Sequence, residues 1–476
     1  MRQYKKIDEQ DINKIREIVG ENNIITEQEK MLDYSHDEFS LAKITKIPDA
    51  VAKPRSAAEV SEILKLANKE SVPVTPRGGG TGLCGGCVPV FGGVVLSFEN
   101  MNKLLEIDCE NLMAVAEPGL TLKEFYENIE KAGFFFPPHP GEESATIGGV
   151  VATNAGGARA VKYGVIRNFI RGLEVSLPTG EIINLGGKII KNSTGYNLLN
   201  LLIGSEGTLG IVTKAVISLM PPPAATIMLV VPYDNLSDAI KTVPEIIRNK
   251  IMPMAVEFIE RELITVTEEF LRKEWPCKGG EAHLMIILDG SSEEEMEKLS
   301  QSIAQTCLDY NATDVFVANT MQKQQDVMDI RSQIYEALKP QTIEALDITV
   351  PRAEIANHVE KVHEISKKYG MWLPTCGHAA DGNLHTFLMK TCMKDRKLDD
   401  AEIEGWKEKY PLVRKELHED CKMRGGIISG EHGIGLVKKE YLPLSVDRKQ
   451  IELMKMIKKI FDPNKILNPG KIFDID

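Results

Sequence analysis

Aromatic residues make up only 6 % of this 476-residue chain, and tryptophan occurs three times. Positive charge is also in short supply: 57 Lys and Arg stand against 69 Asp and Glu, a formal net charge of −12. No local Lys/Arg run reverses that balance, which argues against non-specific nucleic-acid binding. No apolar stretch approaches the ~20 residues of a membrane span, so no transmembrane segment is expected. Met1 to Glu21 is charged throughout and has no apolar h-region. No secretory signal is therefore expected, and a cytoplasmic protein is the default. Cysteine is thinly spread as well. The eight thiols, Cys84, Cys87, Cys109, Cys277, Cys307, Cys376, Cys392 and Cys421, form no disulfide framework. Only Cys84 and Cys87 make a CxxC, with no second pair at cluster spacing. A cubane iron–sulfur cluster or a structural zinc needs four ligands, so neither is expected.

What remains is an ordinary globular composition, 43 % apolar and 26 % charged. The chain is long enough for two or more cores. Ser56-x-x-Glu59 reads as a capping box opening a helix with the apolar stripe Val60, Ile63, Leu64 and Ala67. Thr121-x-x-Glu124 opens a second helix, which should end near Gly133. Strands are expected at Val72–Thr75, Val94–Leu96, Leu173–Leu177 and Glu181–Asn184, the last two joined through Pro178-Thr179-Gly180. Pro221-Pro222-Pro223 marks a boundary. Beyond it, strand-like runs at Ile227–Val231, Ala255–Ile259, His283–Leu288 and Asp314–Val317 alternate with helical runs. That alternation predicts an α+β domain whose antiparallel sheet is covered by helices on one face. From about Arg424 the glycine-rich style of the first half returns, so the C-terminal segment should pack back onto the first domain. The expected divisions are an N-terminal helical segment (1–45), a first domain (46–223), a second (224–423) and the returning tail (424–476).

Three glycine-rich stretches stand out in the first half. Arg77 to Gly86 contains a literal GxGxxG at Gly80, Gly82 and Gly85. A dinucleotide fingerprint needs a helix directly afterwards, and Pro89, Gly92 and Gly93 prevent one. The Rossmann reading fails, but consecutive glycines still let backbone amides approach a phosphate. Pro140 to Gly157 and Gly204 to Val212 repeat this chemistry, like walls of one long cofactor slot.

The stretch Gly377-His378-Ala379-Ala380-Asp381-Gly382-Asn383-Leu384-His385 carries the second signal. Asp-Gly favours a two-residue hairpin turn, which would set His378 directly opposite His385. Opposed β-carbons lie about 4.5–5.5 Å apart, a spacing that suits two ligands on one metal. A third could come from Glu431 or His432 in the run Ser429-Gly430-Glu431-His432-Gly433-Ile434-Gly435. Three protein ligands with one open position describe a catalytic site.

Pro76-to-Gly86, Ala145-to-Gly157, Gly195-Tyr196-Asn197 and the "GSEGTLGI" of Gly204-to-Ile211 together resemble the flavin-binding domain of the vanillyl-alcohol-oxidase superfamily. With His378-to-His385, Glu431-to-Gly435 and the Asn468-Pro469-Gly470-Lys471 ending, the chain is similar to its FAD-linked D-lactate dehydrogenase/glycolate oxidase branch, from about Pro54 to Lys471. The resemblance implies an α+β fold: a FAD-binding domain of two α/β subdomains plus a ferredoxin-like antiparallel-sheet cap. It also implies FAD along Pro76, Arg77, Gly78, Gly79, Gly80, Thr81, Gly82 and Leu83, with Pro140, Gly141, Thr146, Ile147, Gly148, Thr153, Asn154, Gly157, Glu206, Gly207, Ile211 and Asn468 lining the slot. Some relatives tether flavin through a histidine in the first loop. None occurs between Arg77 and Gly86, so FAD should be non-covalent.

Family pattern makes His378, His385 and Glu431 the metal ligands, His432 the general base and Arg331 the carboxylate-binding residue. Neutral imidazoles accept zinc, iron or manganese. Adjacent residues of an extended strand face opposite sides, so Glu431 and His432 need an irregular backbone, which Gly430 and Gly433 permit. Relatives acting on longer diacids carry a lysine where this chain has Ala345, shortly before Asp347-Ile348-Thr349-Val350-Pro351. That departure favours D-lactate or glycolate over 2-hydroxyglutarate. Ala380 replaces the family's usual glycine before Asp381. The implied electron acceptor is an electron-transferring flavoprotein or an iron–sulfur protein partner. A redox-neutral flavin-dependent alkyl transferase is the rival, and it calls for an extra basic pocket that the sequence does not offer.

Overall fold

The computed structural model describes residues 4–39, 44–318 and 320–474, so parts of the expected N-terminal segment (1–3 and 40–43) lie outside the described residues. Two compact units emerge: Met1–Gly156 with Val165–Pro222 and Glu431–Asp476, and Gly157–Gly164 with Pro223–Gly430. The division falls inside the Pro221-Pro222-Pro223 run, and the chain re-enters the first unit at Glu431 rather than Arg424.

The first unit holds two sheets. In one, β1 (Ile24–Ile25), β2 (Ala50–Ala52), β3 (Val74–Arg77) and β4 (Val94–Ser97) lie in the order β1-β2-β4-β3, with β4 parallel to both β2 and β3. The helix Ala57–Glu70 connects β2 to β3, capped by Ser56, whose hydroxyl accepts from the Glu59 amide. The Glu59 carboxylate turns instead to the Arg55 amide at 2.8 Å. Its stripe, Val60, Ile63, Leu64 and Ala67, is buried against Val74, Val94 and Leu96. The other sheet is fully antiparallel: β5 (Leu104–Asp108), β6 (Met113–Ala116), β7 (Ile170–Ser176), β8 (Ile182–Gly186) and β9 (Ile211–Ser218), in the order β5-β6-β9-β7-β8. Thr121 and Glu124 form a reciprocal capping box on the helix Leu122–Lys131. The segment Glu431–Asp476 is grouped with this unit. Leu467 bridges Val74, and the buried Lys458 ammonium donates to the carbonyls of Thr208 and Leu467 at 2.6 and 2.7 Å.

The second unit is built on one antiparallel sheet of β10 (Ala225–Tyr233), β11 (Ala255–Glu260), β12 (Ala282–Gly290), β13 (Phe316–Ala318), β14 (Thr342–Thr349), β15 (Thr375–His378) and β16 (Asn383–Met389). Its order is β13-β10-β12-β11-β15-β16-β14. The first four strands run fourth, first, third, second, the arrangement of a βαββαβ ferredoxin-like unit, extended on the β11 side by three more. Helices cover both faces, not the single face expected from sequence. Leu236–Arg248, Glu293–Asp309, Ile355–Tyr369 and Trp406–Met423 bury one face, on which Val256, Phe258, Leu284 and Ile348 lie. Arg261–Leu271, Met321–Ser332 and Ile334–Leu338 pack on the other, against Val230, Ile259, Met285 and Phe387. The reason is visible in β11, where all six residues are buried: a strand covered on both faces loses the period-two signal.

His283 on β12 is fully buried, with Nδ1 accepting from the Trp275 indole at 3.2 Å and Nε2 facing the Gly280 carbonyl at 3.2 Å. Burial, assisted by the Arg261 charge, pushes its pKa from 6.5 down to about 4. The unfolded chain therefore binds this proton first as pH falls. The stability contributed by this histidine should be fully present above pH 6.5 and fall by about 3 kcal/mol towards pH 4. Urea denaturation across that range should show the loss, and His283→Gln should flatten this part of the slope.

Candidate active site

The Asp381-Gly382 turn is not the two-residue hairpin expected. Residue pairing closes at His378↔Asn383, and Ala379 to Gly382 form a four-residue loop in which the Gly382 amide bonds back to the His378 carbonyl at 3.0 Å. His385 therefore faces Cys376, and His378 sits diagonally from it on the same sheet face. Diagonal neighbours stay within reach of long side chains. The two rings meet edge to face with centroids 5.4 Å apart, and a nitrogen of each lies within 4.8 Å of the other's.

Strand pairing builds a polar end to this otherwise apolar face. Glu257 of β11 is directly opposite His378, and Asp347 of β14 is directly opposite His385. The Glu257 Oε1 lies 2.6 Å from His378 Nδ1. Its Oε2 accepts from Arg331 Nε at 2.7 Å and Nη2 at 2.5 Å. Burial would raise this carboxyl; the Arg331 guanidinium and the His378 ring overcome that and hold it at about 2. Arg331 closes the helix Met321–Ser332, whose Val327 and Ile330 anchor it to the apolar part of the face. Asp347, completely buried, accepts from Asn383 Nδ2 and Ser429 Oγ, both at 2.8 Å, and has a carboxylate oxygen within 4.8 Å of a His385 nitrogen. Glu257 and Asp347 did not emerge from the sequence as site residues. The available signal was weak: each of two mostly apolar strands carries two acids, Glu257 and Glu260 in Ala255–Glu260 and Glu344 and Asp347 in Thr342–Thr349.

The donor set fits a divalent cation. With Nδ1 of His378 turned to a carboxylate, Nε2 is the ring atom left to coordinate, as in carboxylate–histidine–metal relays. The backbone leading to Glu431 is tied to β14 by the Thr349↔Ile427 and Asp347↔Ser429 bridges and by the Gly430 amide on the Asp347 carbonyl at 3.1 Å. Glu431 is the next residue. Its Oε1 lies 3.9 Å from His432 Nε2, so the two adjacent side chains converge rather than alternate, as the irregular backbone before Gly433 (φ 86°) allows.

In the first unit the glycine-rich stretches come together. A β-carbon on Gly78 would lie 2.2 Å from Thr146 Oγ1, and one on Gly207 (φ 64°) 2.6 Å from Pro76 Cγ. The second stretch is not loop throughout: Ile147, Gly148 and Thr153 belong to a short helix, Ile147–Thr153, capped by the Thr146 hydroxyl. Asn154 ends it with φ 53° and accepts from the Arg167 amide. Thr153 donates to the Gly149 carbonyl. Glu206 accepts from the Ile434 and Gly435 amides at 2.7 and 2.8 Å, its carboxyl raised by burial. Asn468 Nδ2 bridges the carbonyls of Gly86 and Glu206. Arg77 spends its guanidinium on the His36 carbonyl and the Cys87 sulfur. Ile211 is buried at the start of β9, Leu83 is half-buried, and Gly141 is exposed beside Pro140. Gly157 falls in the short segment grouped with the second unit. Arg77, Thr146, Thr153, Asn154, Glu206 and Asn468 thus all bond within the protein. Among the described residues, nothing accepts from the amides of Gly79, Gly80, Thr81 or Gly82. Those donors fit the phosphates of a dinucleotide cofactor.

A family model described as FAD linked oxidases, C-terminal domain, matches residues 222–472, and one described as FAD binding domain matches residues 48–186. A D-lactate dehydrogenase of Archaeoglobus fulgidus is 45 % identical over 89 % of this chain and 90 % of its own length. The glycolate oxidase subunit GlcD of Bacillus subtilis is 40 % identical over 97 % and 96 %. The solved structure of p-cresol methylhydroxylase superposes with a TM-score of 0.80 at 18 % identity, covering 99 % of this chain and 98 % of that one, which shows a shared vanillyl-alcohol-oxidase-type fold. The chain belongs to the FAD-linked oxidase family that includes D-lactate dehydrogenases and glycolate oxidase subunit GlcD.

Proposed function

We propose that this protein is a metal-assisted, FAD-dependent dehydrogenase of a small D-2-hydroxy acid, with D-lactate converted to pyruvate. The observation that carries the reading is the pair His378 and His385, rings in contact and one fixed by a buried carboxylate. FAD, when bound, supplies a two-electron hydride acceptor for the substrate α-carbon. A divalent zinc, iron or manganese ion, when bound, supplies Lewis acidity, and His378, His385 and Glu431 would hold it. Arg331 pairs with the substrate carboxylate, the role to which its planar fork is suited. His432 removes the hydroxyl proton onto its imidazole, whose ordinary pKa of about 6.5 suits a base near neutrality. The substrate loses one proton and one hydride, and the alcohol carbon becomes a ketone. The amides of Gly79 to Gly82 support a non-covalent cofactor through its phosphates.

Ala345 packs beside the apolar cluster on β14 and offers no cation to a second carboxylate, which favours lactate or glycolate over 2-hydroxyglutarate. Electrons then pass to a protein acceptor, an electron-transferring flavoprotein or an iron–sulfur protein. Among the described residues no helix is long and apolar enough to cross a membrane. Anaerobic mixing with D-lactate, L-lactate, glycolate and 2-hydroxyglutarate tests the substrate assignment. D-lactate should bleach the flavin fastest; bleaching by 2-hydroxyglutarate alone would overturn it. Arg331→Lys keeps a cation beside Glu257 but removes the fork, and steady-state kinetics should show KM for D-lactate rising about tenfold with kcat little changed.

A further inference from the structure

One carboxylate on β11 serves two of the residues given separate roles above. Glu257 directs Oε1 to His378 Nδ1 at 2.6 Å and Oε2 to Arg331 Nε and Nη2 at 2.7 and 2.5 Å. The strand register makes this division possible. Glu257 pairs with His378 across β11 and β15, whereas Arg331 reaches in from a helix packed on the same face. A slip of one residue would turn the carboxylate into the opposite core, among Val256 and Phe258.

Stability alone gives little reason to keep this arrangement. Glu257 is completely buried in a strand whose other members include Ala255, Val256, Phe258 and Ile259. Burying a charge is costly, and replacing a buried ionic cluster with apolar residues of similar volume is often neutral or stabilising. What the carboxylate does provide is direction. By accepting from Nδ1–H it fixes the His378 tautomer and ring plane, so that Nε2 carries the coordinating lone pair. By taking two donors of one guanidinium edge it also fixes the plane of Arg331.

We propose that Glu257 is a positioning residue that orients the metal-ligating ring of His378 and the carboxylate-binding Arg331 through its two oxygens. The proposal rests on the reading of His378 and His385 as metal ligands. Its test is zinc affinity, measured by chelator competition on the FAD-loaded full chain. Glu257→Gln should bind Zn²⁺ about 10–100-fold more weakly, with far-ultraviolet circular dichroism and FAD content unchanged. Glu257→Asp keeps the charge and Arg331's partner but shortens the arm by one methylene, and its affinity should fall between the two. Should Glu257→Gln fail to fold, the aspartate variant decides: wild-type affinity there overturns the proposal, as does wild-type affinity in Glu257→Gln. His385→Ala separates the two levels of inference. If it binds zinc as tightly as wild type, the ligand reading itself fails; if it loses zinc while Glu257→Gln does not, only the positioning role does.

Discussion

His385→Ala is expected to lose its metal and to lower kcat/KM for D-lactate by about 10³-fold or more. The magnitude follows from what a Lewis acid contributes. Several kcal/mol of transition-state stabilisation comes from polarising an oxygen, and each ~1.4 kcal/mol is a factor of ten. His385 is chosen over His378 because His378 also bonds Glu257, and its removal would leave that buried carboxylate with one partner fewer. His385 faces Cys376 across the β15–β16 pairing and Asp347 across β14, so truncation to alanine opens space on a sheet held by seven strands. FAD content should not change, because the glycine-rich stretches, Gly157 apart, belong to the first unit. Elemental analysis together with steady-state kinetics checks both halves. Metal loss with retained activity would separate the imidazole pair from the chemistry.

The second large effect is expected at His432. His432→Ala should reduce kcat by about 10²–10⁴-fold, the usual contribution of a positioned general base, while metal and FAD content stay at wild-type levels. The local structure favours a clean result. Glu206 holds the amides of Ile434 and Gly435 just beyond the histidine, so the backbone is pinned independently of the imidazole. Rapid-reaction measurement of flavin reduction isolates the step. A kcat within about threefold of wild type would assign proton removal to another group.

These expectations draw on features that differed in how far sequence revealed them. Local signals read well: the hydroxyls of Ser56 and Thr121 cap helices as their spacing implied, because capping depends on three or four consecutive residues. The glycine-rich style of the tail is legible in sequence, whereas the bonds of Asn468 to the Gly86 and Glu206 carbonyls are not. Register was harder. An Asp-Gly pair does not dictate a two-residue turn, and the four-residue loop moved His378 from opposite His385 to diagonal. Both side chains kept their face because the shift was by two residues and side chains alternate with period two. Long-range partners were hidden altogether. Nothing near Glu257 in the chain points to Arg331, 74 positions away, or to His378, 121 away. Glu206 belongs with these: its motif is local, but the Ile434 and Gly435 amides that its carboxylate accepts from lie more than 200 positions away.

The most direct test of the account is anaerobic rapid mixing of D-lactate with FAD-loaded protein that is metal-replete, chelator-stripped, or stripped and then restored with zinc or manganese. Flavin absorbance should bleach in the replete protein, persist in the stripped protein and bleach again on restoration. Equal bleaching rates with and without metal would contradict the assignment of His378, His385 and Glu431 to a catalytic cation.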